Sequence, residues 1–315
     1  NLTSTNSTSN TATTSLTGTS MSSPNVAGTL ILLQQHYKNL TNSFMRSATL
    51  KGLACHTADD AGDEGPDPVF GWGLLNAKRA AETLTGNGLS SWVSEETIAQ
   101  GGSYTMNVNS NGTTPLIASI TWTDVPGVSN NGGLGENDPT PALVNDLDIR
   151  ITRNGTTYFP WKLEDPSGAA TRVGDNRVDN VEQVKIDSPP AGNYTITVTH
   201  KGTLVNANQK YSIVVTGINS TFALNSTTDN LIVCASQNAV YNFNYTQTGG
   251  GTTNFSAVGL PAGATATFSP TSLSTNGTVS MTVSGLSSIT PGEYSIGIVG
   301  NNGSETETRY KLLTV

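Results

Sequence analysis

The most informative stretch of the chain reads Gly18-Thr19-Ser20-Met21-Ser22-Ser23-Pro24-Asn25-Val26-Ala27-Gly28. Small residues predict a turn that presents Ser20, and Pro24 predicts the first turn of a helix that follows at once. At a helix N-terminus, backbone N–H groups and the helix dipole stabilise negative charge, so an oxyanion could form beside this hydroxyl. A serine before a helix is also the usual N-cap, and that interpretation stays open.

The same stretch resembles the active-site serine segment of subtilisin-like serine proteases, Gly-Thr-Ser-Met-x-x-Pro-x-Val-Ala-Gly. Ser22 stands where the family usually has alanine, which exchanges one small residue for another. The resemblance implies that Ser20 is the catalytic nucleophile, that its backbone N–H supplies half of an oxyanion hole, and that the substrate is a protein or peptide. The stretch Gly71-Trp72-Gly73-Leu74-Leu75-Asn76-Ala77 resembles the closing segment of the same catalytic domains.

A serine hydroxyl needs a base to take its proton and a carboxylate to orient that base. In subtilisin-like enzymes Asp and His precede Ser in the chain, yet residues 1–19 contain neither. We therefore expect the C-terminal part of a protease, inactive alone, whose partner is an N-terminal fragment carrying Asp and His. Whether that fragment is a second chain after nicking, an absent stretch or a deletion stays open. His36, His56 and His200 are interpreted as surface histidines or as the last residues of elements.

Composition excludes several function classes. Charged residues make up 12% of the 315 residues, and the net charge is −8. Nucleic acids and anionic membranes attract basic surfaces, so neither is an expected partner. No apolar run approaches 18 residues, so no membrane-spanning helix is expected. A secreted, extracellular protein fits best, and Cys55 and Cys234 are expected as buried free thiols rather than a bridge.

The first 87 residues are predicted to be the C-terminal part of an α/β subtilisin-like catalytic domain. Residues 1–17 are interpreted as a loop because serine, threonine and asparagine dominate them. The run Val26–Leu33 is apolar on nearly all sides, which predicts a helix buried all round. Further helices are expected over 43–57 and through Ala80, Ala81 and Leu84. These helices need a sheet to cover them, and residues 1–84 show no strand for it.

From about residue 90 the apolar period changes to two, which predicts antiparallel strands. Leu116, Ala118, Ile120 and Trp122 alternate with more polar residues, and the same pattern recurs to about residue 215. The stretches 121–124, 143–148 and 180–182 resemble the jelly-roll domain that follows some subtilisin-like catalytic domains. The fold class is therefore mixed, a partial α/β segment followed by two all-β antiparallel sandwiches. The predicted domains are 1–87, a jelly-roll, P-like sandwich at 88–219, and an immunoglobulin-like sandwich at 220–315.

Oxygen-rich side chains cluster in the predicted jelly roll. Hard oxygen ligands in a loop-rich sandwich suit Ca²⁺, and the resembled domains often carry it. A solvated acidic face, or salt bridges to Arg150, Arg172 or Arg177, is the alternative. A second acidic run over 59–67 is interpreted as a solvated loop. The candidate calcium ligands are Asp124, Asp146, Asp148, Asp175, Asp179 and Glu182.

One alternative function belongs to a different class. The β domains could form a non-catalytic adhesion or carbohydrate-binding module attached to a remnant protease segment. Exposed aromatic residues on one sandwich face would favour it. Aromatic residues are 6% of the chain, and those on predicted strands fall mostly on the inferred core faces, which weakens this alternative.

Overall fold

The computed structural model describes residues 2–128, 140–163 and 168–315. Asn1, 129–139 and 164–167 fall inside the predicted domain ranges and lie outside the described residues. The chain begins with a hairpin and three helices and continues as strands joined by turns. The helices are α1 Thr19–Thr41, α2 Ser47–Thr57 and α3 Ala77–Thr85. Most of the structure is therefore antiparallel β-sheet with few helices.

The helix that carries the opening motif differs from the prediction in two ways. Because α1 begins at Thr19, Pro24 is its sixth residue and lies in its second turn. The helix is also not buried all round, since Leu33 is its buried residue while Ile31 and Leu32 are 69% and 65% exposed. One side of α1 packs on α2 and α3.

The first residues form a hairpin, although the sequence predicted a loop. Strands β1 (Leu2–Thr5) and β2 (Thr13–Leu16) pair antiparallel, with Leu2 opposite Leu16 and Thr5 opposite Thr13. Threonine is β-branched and fits an extended backbone, and the hydroxyls of Thr3 and Ser15 hydrogen-bond across the pair at 2.7 Å. Polarity marked this segment as irregular, whereas its β-propensity decided the structure.

Helix α2 is shorter than predicted because the residues before it are held in another conformation. The Gln34 side chain accepts from the Met45 N–H and donates to the Met45 carbonyl, at 2.9 Å each. Arg46 is the N-cap residue in an extended conformation, so the helix starts at Ser47. The side chain of Asn76 caps α3 by accepting from the Arg79 N–H.

The next eight strands form two four-stranded antiparallel sheets that enclose one apolar core, here called the first sandwich. The sheet orders are β3-β10-β5-β8 and β4-β9-β6-β7. The predicted core face of β5 is confirmed, because Leu116, Ala118, Ile120 and Trp122 are all fully buried. The other face is also buried, at Ser119 and Thr121, because α2 covers it. The strands are β3 Ser91–Ala99, β4 Tyr104–Ser110, β5 Leu116–Trp122, β6 Leu147–Arg153, β7 Thr156–Tyr158, β8 Val181–Ile186, β9 Gly192–His200 and β10 Asn208–Thr216.

The last nine strands enclose a separate core and are here called the second sandwich. Its sheet orders are β11-β13-β17-β15 and β12-β19-β18-β14-β16, and the short β12–β19 pair is parallel. Tyr241, Phe243 and Tyr245 of β13 are buried, as their alternation predicted. The strands are β11 Phe222–Ser226, β12 Leu231–Ile232, β13 Ala239–Gln247, β14 Thr253–Val258, β15 Thr265–Ser269, β16 Ser272–Leu273, β17 Gly277–Ser284, β18 Glu293–Asn301 and β19 Thr306–Thr314.

The sheet that the helices lack within residues 1–84 is supplied by the first sandwich. Helix α2 lies on β5 and β10, and α3 lies against β3. Gly52 permits the close approach, since a β-carbon there would lie 2.1 Å from Thr121 Oγ1. A third apolar core joins Leu33, Leu53 and Leu84 of the helices to Val93 and Val214 of the sheet. Two of the three helices are thus built into the sandwich.

Candidate functional site

Ser20 is the second residue of α1 and its side chain is exposed. Gly18 precedes the helix in an extended conformation, and the helix has no side-chain N-cap. No hydrogen bond to Ser20 Oγ is found in the described parts of the chain. The hydroxyl is therefore exposed and not engaged by a described residue, and the capping interpretation has no hydrogen bond to support it.

The backbone around Ser20 leaves donors open. Met21 and Ser22 donate their N–H groups to the Gly18 carbonyl at 3.0 and 3.2 Å. The N–H of Ser20 precedes these in the first turn and has no partner within the helix, as is general for first-turn N–H groups. Pro24 has no N–H, so the Ser20 carbonyl also loses its usual donor four residues on. The helix dipole adds positive potential at this end.

The three histidines are engaged away from Ser20. His36 lies within α1, and its Nε2 is 2.9 Å from Thr85 Oγ1. His200 ends β9, as predicted, and its Nε2 accepts from the Gly101 N–H at 2.7 Å. His56 is in the last turn of α2, so its interpretation as a helix-end residue is confirmed, but it is buried rather than at the surface.

His56 is the polar centre of the contact between α2 and the first sandwich. Its Nδ1 lies 2.8 Å from Ser119 Oγ and its Nε2 lies 2.9 Å from Thr216 Oγ1. Burial, with a smaller effect from the Arg79 charge, lowers the pKa of His56 from 6.5 to about 3. The imidazole is therefore neutral at physiological pH and bridges two hydroxyls. Its role is to hold the helix on the sheet.

Three of the predicted calcium ligands meet at one lysine. Lys201 Nζ lies 2.6 Å from Asp148 Oδ1, 2.8 Å from Asp175 Oδ2 and 3.7 Å from Asp146 Oδ2. Arg150 pairs with Asp148 and with Asp175 as well. The predicted salt bridge to Arg150 therefore describes Asp148 and Asp175, whereas Asp146 pairs with Lys201, which was not among the predicted partners. Lys201 was not predicted as a site residue, although its position directly after β9 was an available signal.

The other three predicted ligands are held by separate contacts. Both oxygens of Asp124 accept backbone N–H groups, from Val144 at 2.6 Å and Asn145 at 3.0 Å. Asp179 Oδ2 accepts from Asn176, and the fully buried Glu182 accepts from the Ile149 N–H at 2.8 Å. Burial raises the pKa of Glu182 well above its usual value, because its charged form loses water.

Two oxygens of this set are buried without a donor in the described residues, Asp146 Oδ1 and Glu182 Oε1. Carboxylate oxygens without a hydrogen-bond donor can bind a cation such as Ca²⁺. The positive charges of Lys201 and Arg150 nearby would repel such an ion and so oppose its binding. Within residues 2–128, 140–163 and 168–315, no group of three or more His, Cys, Asp and Glu side chains has metal-binding geometry. Calcium in residues 120–185 stays a prediction.

The acidic run over 59–67 is more ordered than a solvated loop. Asp67 is buried, and its Oδ1 accepts the N–H groups of Val69 and Phe70 at 2.7 Å each. Asp59 pairs with Arg79 at 2.6 Å. These carboxylates shape the turn that leads to Trp72.

A cavity of about 750 Å³ lies between this run and the first sandwich. Trp72 and Trp161 line it together with His56, Arg79 and Gln183. Gly65 lies directly on the Trp161 indole, where a β-carbon would be 2.7 Å away, and Arg172 covers that ring at 4.4 Å. The cavity is thus a space between two packed units, and Ser20 does not line it.

Both cysteines are free, as predicted. Cys55 is half-buried, and burial raises the pKa of its thiol to about 11, which makes it unreactive. Cys234 was expected to be buried in a strand, but it is exposed and follows the end of β12. The strand pairs for only two residues and ends before the cysteine.

The segment that carries Ser20 is similar to known proteins. Residues 1–73 match the model of the subtilase family, Peptidase S8. Serotype-specific antigen 1 of Mannheimia haemolytica is 37% identical over 81 residues, which is 26% of this chain and 8% of that protein. The Neisserial autotransporter lipoprotein NalP of Neisseria meningitidis serogroup B is 45% identical over 65 residues, or 21% of this chain and 6% of that protein. The chain thus spans less than a tenth of these relatives.

A solved structure of a DUF4785 family protein from Legionella pneumophila covers 71% of this chain and 61% of its own. It is 15% identical with a TM-score of 0.32, a likeness too low to support a conclusion about fold or function. No helix in the described part of the chain is long and apolar enough to span a membrane.

Proposed function

We propose that this chain is the part of a secreted subtilisin-like serine endopeptidase that supplies the nucleophile, Ser20, for peptide-bond hydrolysis. The subtilase match of residues 1–73 and the exposed Ser20 hydroxyl at the start of α1 support the proposal. One of the similar proteins is named an autotransporter lipoprotein, which supports an extracellular location for this protein. The observation that carries the proposal is the open serine at a helix N-terminus within the matched segment.

In this proposal Ser20 Oγ attacks the scissile carbonyl of a protein substrate, and the Ser20 N–H stabilises the oxyanion that forms. The base and its orienting carboxylate come from an N-terminal portion of the same protease, carrying His and Asp. The histidines of this chain bond to Thr85, Ser119, Thr216 and Gly101, so they are occupied elsewhere.

The exposed face of α1 supports a partner that packs against it. Ile31 and Leu32 are 69% and 65% exposed on a different side of α1 from the buried Leu33, and Leu16 of the hairpin is 52% exposed. An apolar face of this kind marks a surface that another protein segment covers. The same contact would bring a base to Ser20, because the hydroxyl is at the start of this helix.

The test is active-site labelling with a fluorophosphonate probe, combined with intact mass of the whole preparation. We expect Ser20 to be labelled when a co-purifying N-terminal fragment is present, and Ser20→Ala to abolish labelling. Ser23→Ala is the matched control, because Ser23 is an exposed serine in the same turn region of α1. Absence of label in the presence of that fragment contradicts the proposal.

The two sandwiches are proposed to brace the catalytic segment and to guide substrate. The proposed domains are the catalytic segment at 1–87, a jelly-roll, P-like domain at 88–219 and an immunoglobulin-like domain at 220–315. A calcium ion near Asp146 and Glu182 is part of this proposal, supported by their two orphaned buried oxygens. A calcium concentration ten times the dissociation constant would stabilise the folded chain by about 1.4 kcal/mol. A chelator that removes the calcium should therefore lower the melting temperature. Equal melting temperatures with and without chelator contradict the calcium site.

A further inference from the structure

The cavity of about 750 Å³ lies on the outer face of the first sandwich, beyond the end of helix α2. Ser119 of β5 lies under α2, where it bonds to His56, and the helix ends at Thr57. Ile117 is on the same face of β5, because side chains two residues apart point the same way, and it lines the cavity. The volume falls within the range of about 300–1,000 Å³ that is usual for ligand-binding pockets.

The aromatic part of the wall is held in place by the backbone around it. Trp72 lies in a turn that is closed by two backbone hydrogen bonds between Asp59 and Leu74, at 2.8 Å each. Gly73 permits this turn, since it has φ +100° and a β-carbon there would lie 2.1 Å from the Asp59 carbonyl oxygen. Trp161 also lines the cavity and is itself buried. A ligand would therefore meet a wall that is already formed, which lowers the entropy cost of binding.

Gln183 places an amide without a partner in the same cavity. Along β8, Val184 and Ile186 belong to the core of the sandwich, so Gln183 and Lys185 point to the outer face. Gln183 is 8% exposed, and no hydrogen bond of its side chain to another described residue is found. A buried amide without a partner destabilises a fold. The amide is therefore available to a ligand that enters the cavity.

The charged groups of the wall are already matched within the chain. The imidazole of His56 is neutral and bonds to two hydroxyls, and Asp60 Oδ2 accepts from the Gly65 N–H at 3.0 Å. The described wall thus offers no unpaired basic group to a phosphate or another anion, and the cavity suits an uncharged ligand. The ion pairs of the wall are Arg79–Asp59, Lys185–Asp187 and Glu82–Lys78.

A peptide segment matches these groups better than a sugar does. A sugar stacks on an open aromatic face, whereas the Trp161 ring is covered by Gly65, where a β-carbon would be 2.7 Å away, and by Arg172 at 4.4 Å from its centroid. A peptide needs apolar space for its side chains, which Ile117 borders, and partners for its backbone. The amide of Gln183 can donate to a peptide carbonyl and accept from a peptide N–H.

We propose that this cavity binds a short, uncharged segment of the protein substrate, through the amide of Gln183 and the indole of Trp72. The substrate class rests on the proposed function, whereas the site is separate from Ser20, which does not line the cavity. When one segment of a substrate is held, the rest of it stays at a raised local concentration. The cavity therefore strengthens substrate binding without taking part in the chemistry.

The site is remote from the proposed nucleophile. Ser20 lies about 24 Å along α1 from His36, and His36 bonds to Thr85 at the end of α3, a helix that also lines the cavity. An extended chain covers about 3.3 Å per residue, so the segment in the cavity is several residues away from the scissile bond. Short peptides can occupy the cavity without reaching Ser20, which allows binding to be measured by itself.

Gln183→Leu separates a binding role of the amide from a structural one. Leucine keeps nearly the same volume and removes the hydrogen-bonding groups. Because the amide bonds to nothing in the described chain, the variant should be at least as stable as the parent in a urea titration. It should nevertheless bind a peptide about tenfold more weakly, since a hydrogen bond to the ligand is lost.

The test is isothermal titration calorimetry with the peptide acetyl-Gly-Leu-Phe-Leu-Gly-amide, whose blocked ends carry no charge. The titrated protein is the full chain with Ser20→Ala, so the result does not depend on cleavage. We expect the parent chain to bind the peptide, Gln183→Leu to bind it about tenfold more weakly, and Ile117→Trp, which fills the cavity, to lose binding. Gln237→Leu replaces an exposed glutamine next to the second sandwich and is the matched control, which should keep full affinity.

No heat of binding at about 1 mM peptide overturns the site. So does undiminished binding in both Gln183→Leu and Ile117→Trp, which would place the peptide on another surface such as the exposed side of α1. Binding of chitotriose in place of the peptide overturns it as well. If circular dichroism shows that Ile117→Trp is unfolded, Gln183→Leu decides alone. A failure of fluorophosphonate labelling contradicts the proposed nucleophile and leaves the peptide-binding result unchanged.

Discussion

The apolar run of helix α1 is partly exposed, whereas helix α2 is largely buried although its inner side carries polar residues. The apolar run of α1 leaves Ile31 and Leu32 more than half exposed, whereas α2, with threonine, glycine and histidine on its inner side, buries six of its eleven residues. The difference is the neighbouring surface. Helix α2 meets a sheet whose outer face offers Ser119, Ser212 and Thr216 to its polar groups.

The comparison shows that burial depends on a matching partner as well as on apolarity. The hydrophobic effect favours covering α1 but specifies no direction, so it needs another surface to act. Helix α2 docks because close approach at Gly52 and hydrogen bonds at Thr49 and His56 satisfy every polar group it buries there.

The largest expected effect is at the leucines of the two helices. Leu53→Ala in α2 should lower the free energy of unfolding by about 2–5 kcal/mol, because Leu53 is fully buried. Leu32→Ala in α1 should change it by less than about 0.5 kcal/mol in this chain, because Leu32 is exposed. Urea titrations measure both. Equal losses would show that α1 is packed as tightly as α2, and the comparison would fail.

The next effect is the acid response of the α2 contact. The pKa of His56 is about 3 in the folded chain and 6.5 in the unfolded chain. Below pH 6.5 the unfolded chain therefore binds a proton that the folded chain does not, and the free energy of unfolding decreases as the pH is lowered. Between pH 7 and pH 5 the stability advantage of wild type over His56→Asn should shrink by about 2 kcal/mol. Burial raises the pKa values of Glu307 and Glu96, so these two groups change the stability in the opposite direction. Both groups are present in the wild type and in the variant, so their contributions cancel in the difference between the two proteins.

His36→Asn in α1 is the control for that experiment, since His36 is only half-buried and bonds to Thr85. It is measured in parallel to account for the general effect of replacing histidine by asparagine. An advantage of wild type over His56→Asn that stays constant from pH 7 to pH 5 contradicts a buried neutral imidazole.

The last pair of effects is at the two helix glycines, and they should have opposite signs, with the smallest change of all at Gly28. Gly52→Ala should destabilise by about 1–3 kcal/mol, because the new methyl meets Thr121 Oγ1 at 2.1 Å. Gly28→Ala should stabilise by about 0.5–1 kcal/mol, because no atom lies within 4 Å and alanine favours the helix. Thermal unfolding of the two variants measures both. Destabilisation by Gly28→Ala would reveal a partner packed on α1.

Much of the local structure was predictable. The alternation in β5 and β13 identified strands and the faces that form the sandwich cores, because side chains alternate between the two faces of a strand, but it did not show that α2 buries the other face of β5. The hairpin β1–β2 and the short β12 were not predicted, since polar strands and two-residue pairs leave no periodic signal. Of the candidate site, Ser20 could be named from its motif, while Lys201 and Gln183 could not, because their surroundings come from distant parts of the sequence.

The sequence by itself determined the three helices, most of the longer strands and which serine lies at a helix start, since these depend on neighbours within a few residues. Only the tertiary structure decided that the first sandwich covers α2, that His56 is neutral and buried, and that Arg309 of the second sandwich bonds to Asn87 and covers Trp92 of the first. Those outcomes depend on surfaces meeting across 50 to more than 200 residues, and local spacing contains no information about which surfaces meet.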